Sequence, residues 1–362
     1  MVQLFGKEWK KEDLLSHIGR LSQVGGISQF EYSDGKGRGL RALQIRTGSG
    51  LIFDVLIDRA MDIGAAEFAG YPLGWQSSTG LCHPRYFLPL DKHWLDTFEG
   101  GLLTTCGLSN VGRPNQDQEK ELTLHGIISG CPAENVNINY AWHGDNLDMS
   151  VEGVIRETAV FGPNLCLRRL IWTRLGEKKI FIEDEVANEG GVSTPLMFLY
   201  HTNIGWPIFD KDASLILPSK NVEIINAKSE EDMEHFSFFH DPDKKATEKV
   251  YSHELIPDTS GNVRLAVVNS NMNHPCFGVY MKYPFKQLPR FTQWKMMGKG
   301  TYVLGLEPGN CGVKGRAAER ANKTLEFLEA GESRKFNLEI GVISTPEELS
   351  QVTDLVEDLL KS

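Results

Sequence analysis

Val136-Asn137-Ile138-Asn139-Tyr140-Ala141-Trp142-His143-Gly144-Asp145-Asn146-Leu147-Asp148-Met149-Ser150-Val151 carries the reading of the fold. Val136, Ile138, Tyr140 and Trp142 alternate with Asn137, Asn139 and Ala141. His143-Gly144-Asp145-Asn146 then supplies a turn, and Leu147, Met149 and Val151 resume the alternation. A period of two on both sides of a turn-forming cluster is the pattern of a β-hairpin with one face buried. Working outward, Leu167–Arg174, the turn Leu175-Gly176-Glu177 and Ile180–Val186 repeat it. So do Leu40–Arg46, Gly48-Ser49-Gly50 and Leu51–Ile57. Successive hairpins with few helical segments between them predict antiparallel sheets packed face to face.

Only the two ends have helical spacing. Leu14, Leu15, Ile18, Leu21 and Val24 predict a helical arm within residues 1–26, stopped at Gly25-Gly26. Thr345 suits an N-cap and Pro346 the first helical position. Leu349, Val352, Leu355, Val356, Leu359 and Leu360 form one stripe, so residues 345–362 are expected to be a packing helix. No linker or fixed-period repeat interrupts the chain, and a single β-sandwich domain over 1–362 is expected. The acidic, His-bearing stretch Ser229–His253 reads as an exposed insertion loop, and Gly35-Lys36-Gly37-Arg38-Gly39 as a turn before a strand.

Composition excludes several classes. The 362 residues carry a net charge of −10 with both signs spread along the chain, unlike the basic face of a nucleic-acid binder. No apolar run of about 18 residues is present, so no membrane span is expected. The N-terminus lacks the apolar core of a signal peptide. Cys82, Cys106, Cys131, Cys166, Cys276 and Cys311 are scattered without a CxxC pair, which fits reduced thiols of a cytoplasmic protein. There is no P-loop, HExxH or GxSxG motif, so no nucleotide or other cofactor is implied.

Four places break local rules. Glu307 ends the apolar run Thr301–Leu306 and is followed by Pro308-Gly309-Asn310. A carboxylate there must be desolvated, paired or functional; the plain alternative is a surface Glu at a strand end. His201 closes Leu196-Met197-Phe198-Leu199-Tyr200 and leads into Thr202-Asn203-Ile204-Gly205-Trp206-Pro207, where a satisfied core His is the plain alternative. His125 ends Leu122-Thr123-Leu124 before Gly126. Arg59 lies between Asp58 and Asp62, where a structural ion pair is the plain alternative. Trp75, Trp94, Trp206 and Trp294 fall near these loops, and indole faces suit the C–H faces of a sugar. Gln293-Trp294-Lys295 adds polar groups to one of them.

Arg59, His125, His201 and Glu307, in this order, resemble the aldose 1-epimerase (galactose mutarotase) superfamily from about Glu31 to Ser344. His201-Thr202-Asn203 and Leu306-Glu307-Pro308 are the more specific matches. Gly100–Leu108 and His201–Pro207 resemble a divergent branch rather than true galactose mutarotases. The resemblance implies a super-sandwich of antiparallel strands with short terminal helices, and a sugar cleft on one sheet. It implies Glu307 as general base on the anomeric hydroxyl and His201 as general acid at the ring oxygen. Arg59, His125, Asn203, Trp75, His83, Gln293, Trp294 and Lys295 are the expected sugar contacts. Two alternatives stay open. His83, His125, His201 and Glu307 offer three nitrogens and a carboxylate to a metal ion, for an isomerase, epimerase or lyase, although no pair has helical ligand spacing. The chain also suits a non-catalytic sugar-binding protein. The partner expected is a small-molecule sugar, not nucleic acid or membrane, and a homodimer is an open option.

Overall fold

The computed structural model describes residues 1–226, 235–272 and 276–361. Among the described residues, twelve strands form one antiparallel sheet and eight form another. The three hairpins close as the alternation predicts. Tyr140 pairs with Met149, Ile171 with Ile182, and Ile45 with Phe53. The first two hairpins open the eight-stranded sheet, which runs Ala133–His143, Asn146–Thr158, Asn164–Arg174, Lys179–Asn188, Ser333–Ile343, Phe277–Pro284, Asn262–Asn269 and Ala213–Ile216. The main path of the twelve-stranded sheet runs Ser219–Ile224, Lys249–Leu255, Arg290–Gly298, Thr301–Gly309, Thr194–Ile204, Leu103–Leu108, Asp62–Phe68, Leu51–Leu56, Arg41–Arg46 and Gly26–Glu31.

The inner faces of the two sheets share one core. Leu43, Ile45 and Phe53 from the larger sheet pack with Val151, Ile171, Ile182 and Leu338 from the smaller. Alternate residues of the larger sheet therefore point outward, and that outer face carries the clefts described below. A buried ionic knot crosses the core. Arg169 gives two hydrogen bonds to Asp184 within its own sheet, at 2.9 and 2.7 Å, and a third to Asp62 on the facing sheet at 3.0 Å. Tyr200, also on the facing sheet, donates to Asp184 at 2.7 Å, and Thr105 donates its amide and hydroxyl to Asp62. Among the described residues the architecture is that of the expected super-sandwich: mostly β, antiparallel, with three short α-helices.

Three segments differ in detail from the expectation. Residues 1–26 are helical only over Lys11–His17. Before that, Val2–Leu4 pairs with Lys7–Trp9, and after it Leu21–Gln23 forms a 3-10 turn. Leu14 alone of the helix is buried, and it joins Val2, Leu4, Val24 and Met149 in a plug at the end of the sandwich. The plug needs only short contacts, so a long amphipathic helix is unnecessary. Gly26, read as a stop, begins a strand. Of the stretch read as an insertion loop, residues 229–234 lie outside the described residues, whereas Lys249–Leu255 is a strand inside the larger sheet. Its own alternation buries Tyr251, His253 and Leu255. The C-terminal helix spans Pro346–Lys361, with the Thr345 hydroxyl accepting from the Glu348 amide. All six cysteines are free, and no helix among the described residues is long and apolar enough to cross a membrane.

Arg169→Met is expected to destabilise the fold by about 3–5 kcal/mol, because it leaves Asp184 and Asp62 buried with uncompensated charge. Urea unfolding followed by tryptophan fluorescence checks this; a loss no larger than that of an exposed arginine variant such as Arg38→Met would remove the knot from the stability account.

Candidate active site

Strand pairing brings Glu307 to His201. Thr194–Ile204 and Thr301–Gly309 are neighbours, in a register that sets Thr202 opposite Leu306 and Leu199 opposite Gly309. The position opposite His201 is then Glu307. Tyr200 points inward to the ionic knot, so His201 and Asn203 point outward. His201 Nε2 lies 3.2 Å from Glu307 Oε1, with both residues within 4% of full burial. The contact is off-axis, and Glu307 Oε1 has no aligned hydrogen-bond partner. Gly305 faces the same way two residues earlier, where an added Cβ would come 2.7 Å from Glu307 Oε1. The glycine makes room for the carboxylate to turn toward the histidine.

Asn203 sets the tautomer of His201. Its Nδ2 donates to the His201 carbonyl at 3.1 Å and reaches the carbonyls of Gly101 and Gly100 at 3.3 and 3.4 Å, which leaves Oδ1 aimed at His201 Nδ1, 2.7 Å away. Nδ1 therefore carries a hydrogen, and Nε2 is the nitrogen that exchanges protons with the cleft. His125 is placed by a loop. It sits at φ +55°, a left-handed conformation in which His is among the better-tolerated residues. Its amide donates to the Gly112 carbonyl at 2.9 Å, and its carbonyl accepts from the Gly107 amide at 2.9 Å. Its ring stands 5.6 Å from His201, edge to face. Trp94, Phe98 and Trp294 complete an aromatic box: Phe98 and Trp294 lie 5.4 and 5.6 Å from the His201 ring, and Trp94 lies 4.8 Å from His125. Together these groups line a cleft of about 540 Å³, with Lys92, Arg113 and Glu248 at its wall.

Burial dominates the electrostatics. It pushes the Glu307 carboxyl up to about 8, and nearby Glu248 adds to the rise. Burial pulls His201 down to about 4 against the opposing Asn203 hydrogen bond, and it pulls His125 down to about 3, with His201 adding to the fall. Each group in the box resists charge because water is excluded. Near neutral pH the pair therefore holds one proton, resting on Glu307, with an imidazole 3.2 Å away to receive it.

Not every residue expected at the cleft reaches it. Strand alternation separates Gln293-Trp294-Lys295: Trp294 lines the cleft, whereas Gln293 bonds His253 at 3.0 Å and the Phe236 carbonyl at 2.8 Å, and Lys295 donates to the carbonyls of His235 and Phe238. Arg59 lies under the wall and donates to the carbonyls of Cys82 and Thr97, at 3.2 and 3.1 Å, which secures the segment bearing Trp94 and Phe98. It is therefore not positioned to touch a sugar, and Asp58 pairs with Arg41 instead. His83 accepts from the Arg85 amide at the start of a 3-10 turn outside the cleft. The four proposed metal ligands thus do not converge, and among the described residues no three His, Cys, Asp or Glu side chains are arranged to hold a metal ion. Trp75 lines a neighbouring cleft and meets Trp294 at 6.1 Å. Phe98, Lys92, Arg113 and Glu248 escaped sequence reasoning because they sit in irregular segments with no periodic signal.

Residues 37–342 match the family model described as a domain of unknown function, DUF4432. The chain belongs to the DUF4432 family. Several solved structures share the fold of this family member. A Klebsiella pneumoniae protein named as a candidate aldose 1-epimerase shares 23% identity with a TM-score of 0.86, over 92% of this chain and 87% of its own. A galactose mutarotase-like protein from Clostridium acetobutylicum shares 12% identity with a TM-score of 0.58, over 89% of this chain and 100% of its own. Galactose 1-epimerase from Lactobacillus acidophilus shares 10% identity with a TM-score of 0.56, over 88% of this chain and 99% of its own. No curated protein matches this DUF4432 chain in sequence.

The raised Glu307 value has a signed consequence for stability. Between the ordinary 4.5 and about 8, the unfolded chain has released a proton that the folded chain keeps. Stability from this group is complete below the lower value and is lost as pH rises through the window, by about 1.4 kcal/mol per pH unit. Glu307→Gln should therefore gain stability over the parent progressively from about pH 5 to about pH 8. Urea unfolding of both proteins at several pH values measures it; a pH-independent difference would mean that Glu307 is ionised in the folded state.

Proposed function

We propose that this protein is a carbohydrate isomerase of the aldose 1-epimerase type, interconverting the anomers of an aldose or related sugar by acid–base ring opening. One observation carries the reading: a carboxyl and an imidazole stand 3.2 Å apart at the buried base of an aromatic-walled cleft. The anomeric hydroxyl and the ring oxygen of a pyranose are both bonded to C1. Two exchanging groups this close can serve both atoms at once. One takes the O1 proton as the C1–O1 bond becomes a carbonyl and the C1–O5 bond breaks, and the other delivers a proton to O5. Rotation about C1–C2 and reclosure on the other face reverse the transfers.

With the proton on His201, Glu307 is the base at O1 and His201 the acid at O5. With it on Glu307 the same exchange runs with the roles reversed. Because closure is the reverse of opening, one proton in the pair serves both directions. In this reading Asn203 keeps Nδ1 protonated so that Nε2 serves the sugar, and His125 and Trp294 contact it, the imidazole through a hydroxyl and the indole through a C–H face. The fold shared with galactose 1-epimerase from Lactobacillus acidophilus supports this reading.

Glu307→Gln is expected to slow anomer equilibration about 10²–10⁴-fold, the usual worth of a positioned acid–base group. Polarimetry or NMR of freshly dissolved aldoses and sugar phosphates measures it. If the parent protein equilibrates none of them faster than Glu307→Gln does, the reading fails. Activity of the parent should follow a bell, falling below about 4, where the pair gains a second proton, and above about 8, where it loses its only one. A rate that climbs steadily through pH 8 would contradict the shared-proton pair.

A further inference from the structure

A second cleft of about 590 Å³ opens on the same outer face of the twelve-stranded sheet. It shares no lining residue with the acid–base cleft. Its floor is built from positions in Arg41–Arg46, Leu51–Leu56 and Asp62–Phe68, where Ala65 presents a small, exposed side chain. Trp75 is the partition: it lines this cleft on one side and packs on Trp294 of the acid–base cleft on the other.

Two indoles are held here by locked backbone. Gly74 bridges to Ile204, and an added Cβ on Gly205 would come 2.8 Å from the Trp75 Cα, so a glycine is needed for the two segments to touch. Trp206 follows that contact and lines the same cleft as Trp75, 66% exposed. Across the cleft, Asp54 is only 8% exposed and accepts from Tyr32 Oη at 3.2 Å and Gln44 Nε2 at 3.3 Å. Each carboxylate oxygen has one of these donors and keeps further acceptor capacity, and Gln44 lines the same cleft. An exposed aromatic face opposite a carboxylate–carboxamide pair matches a pyranose ring, which offers a C–H face to the first and adjacent hydroxyl donors to the second. The cleft is lined by Asp54 and Glu67 but by no Lys, Arg or His, so an anionic sugar is disfavoured.

We propose that this cleft is a second saccharide-binding subsite, taking a neutral pyranosyl unit between Trp206 and the Asp54–Gln44 pair. It does not depend on mutarotation at Glu307. The probes are methyl α-D-glucopyranoside, methyl β-D-galactopyranoside and cellobiose, tested by saturation-transfer NMR and titration. The methyl glycosides cannot ring-open, so they report binding without turnover. At least one probe should bind, and Trp206→Ala and Asp54→Ala should each weaken that binding about tenfold. Methyl glucuronide should bind more weakly than methyl glucoside. Trp206 is an exposed loop residue, so its removal leaves the core intact. The proposal is overturned if no probe binds up to its solubility limit. It is equally overturned if binding survives both cleft substitutions but is lost in Glu307→Gln, which would place the sugar in the acid–base cleft alone.

Discussion

The buried contact of Arg169 with Asp184 and Asp62 is the interaction on which the rest of the structure depends. It joins the inner faces of two sheets whose contact is mostly apolar, with the Leu108 amide donating to Glu157 at 2.7 Å as a further polar link between them. Ionic groups in a core are costly to desolvate, so close opposite charges and hydrogen bonds must offset that cost. Here Asp184 also accepts from Tyr200, and Asp62 accepts from Thr105. Tyr200 and Thr105 lie on adjacent strands of the larger sheet, in direct register. The knot thus pins the strand whose next residue, His201, faces the opposite way into the cleft. Packing on the inner face and chemistry on the outer face are one residue apart.

The same economy of water exclusion explains the acid–base pair. Aromatic walls and neighbouring strands remove solvent from Glu307 and His201, and the loss of solvent brings both groups toward their neutral forms. A carboxyl that keeps its proton and an imidazole that has given one up are poised for exchange, because either charged form is only one short transfer away. Asn203 and Gly305 hold the pair without adding charge, one by a hydrogen bond to the far ring nitrogen and the other by leaving space.

How much was legible in the sequence varied by the kind of signal. Hairpins were plain, because alternation and turn residues act over a dozen positions and need no distant partner. Glu307, His201 and Asn203 were legible because each breaks an apolar run at a strand end, where burial of a polar group requires a reason. Gln293 and Lys295 misled because polarity was read without the alternation that turns them away from Trp294. Arg59 misled because a buried guanidinium that binds backbone carbonyls leaves the same sequence trace as one that binds a ligand. Glu248 and Arg113 were invisible, since nothing local distinguishes a cleft-wall charge from any other exposed charge.

By itself the sequence determined the strand periodicity of the three hairpins, their antiparallel pairing and the alternation of faces along them. These follow from backbone geometry over short separations. Only the tertiary structure decided that residue 307 stands across from residue 201, that Trp75 divides two clefts, and that Arg59 serves the wall rather than the ligand. Those outcomes depend on the register between strands far apart in the chain. Register is set by the summed packing of both sheets, a quantity that no local stretch of sequence contains.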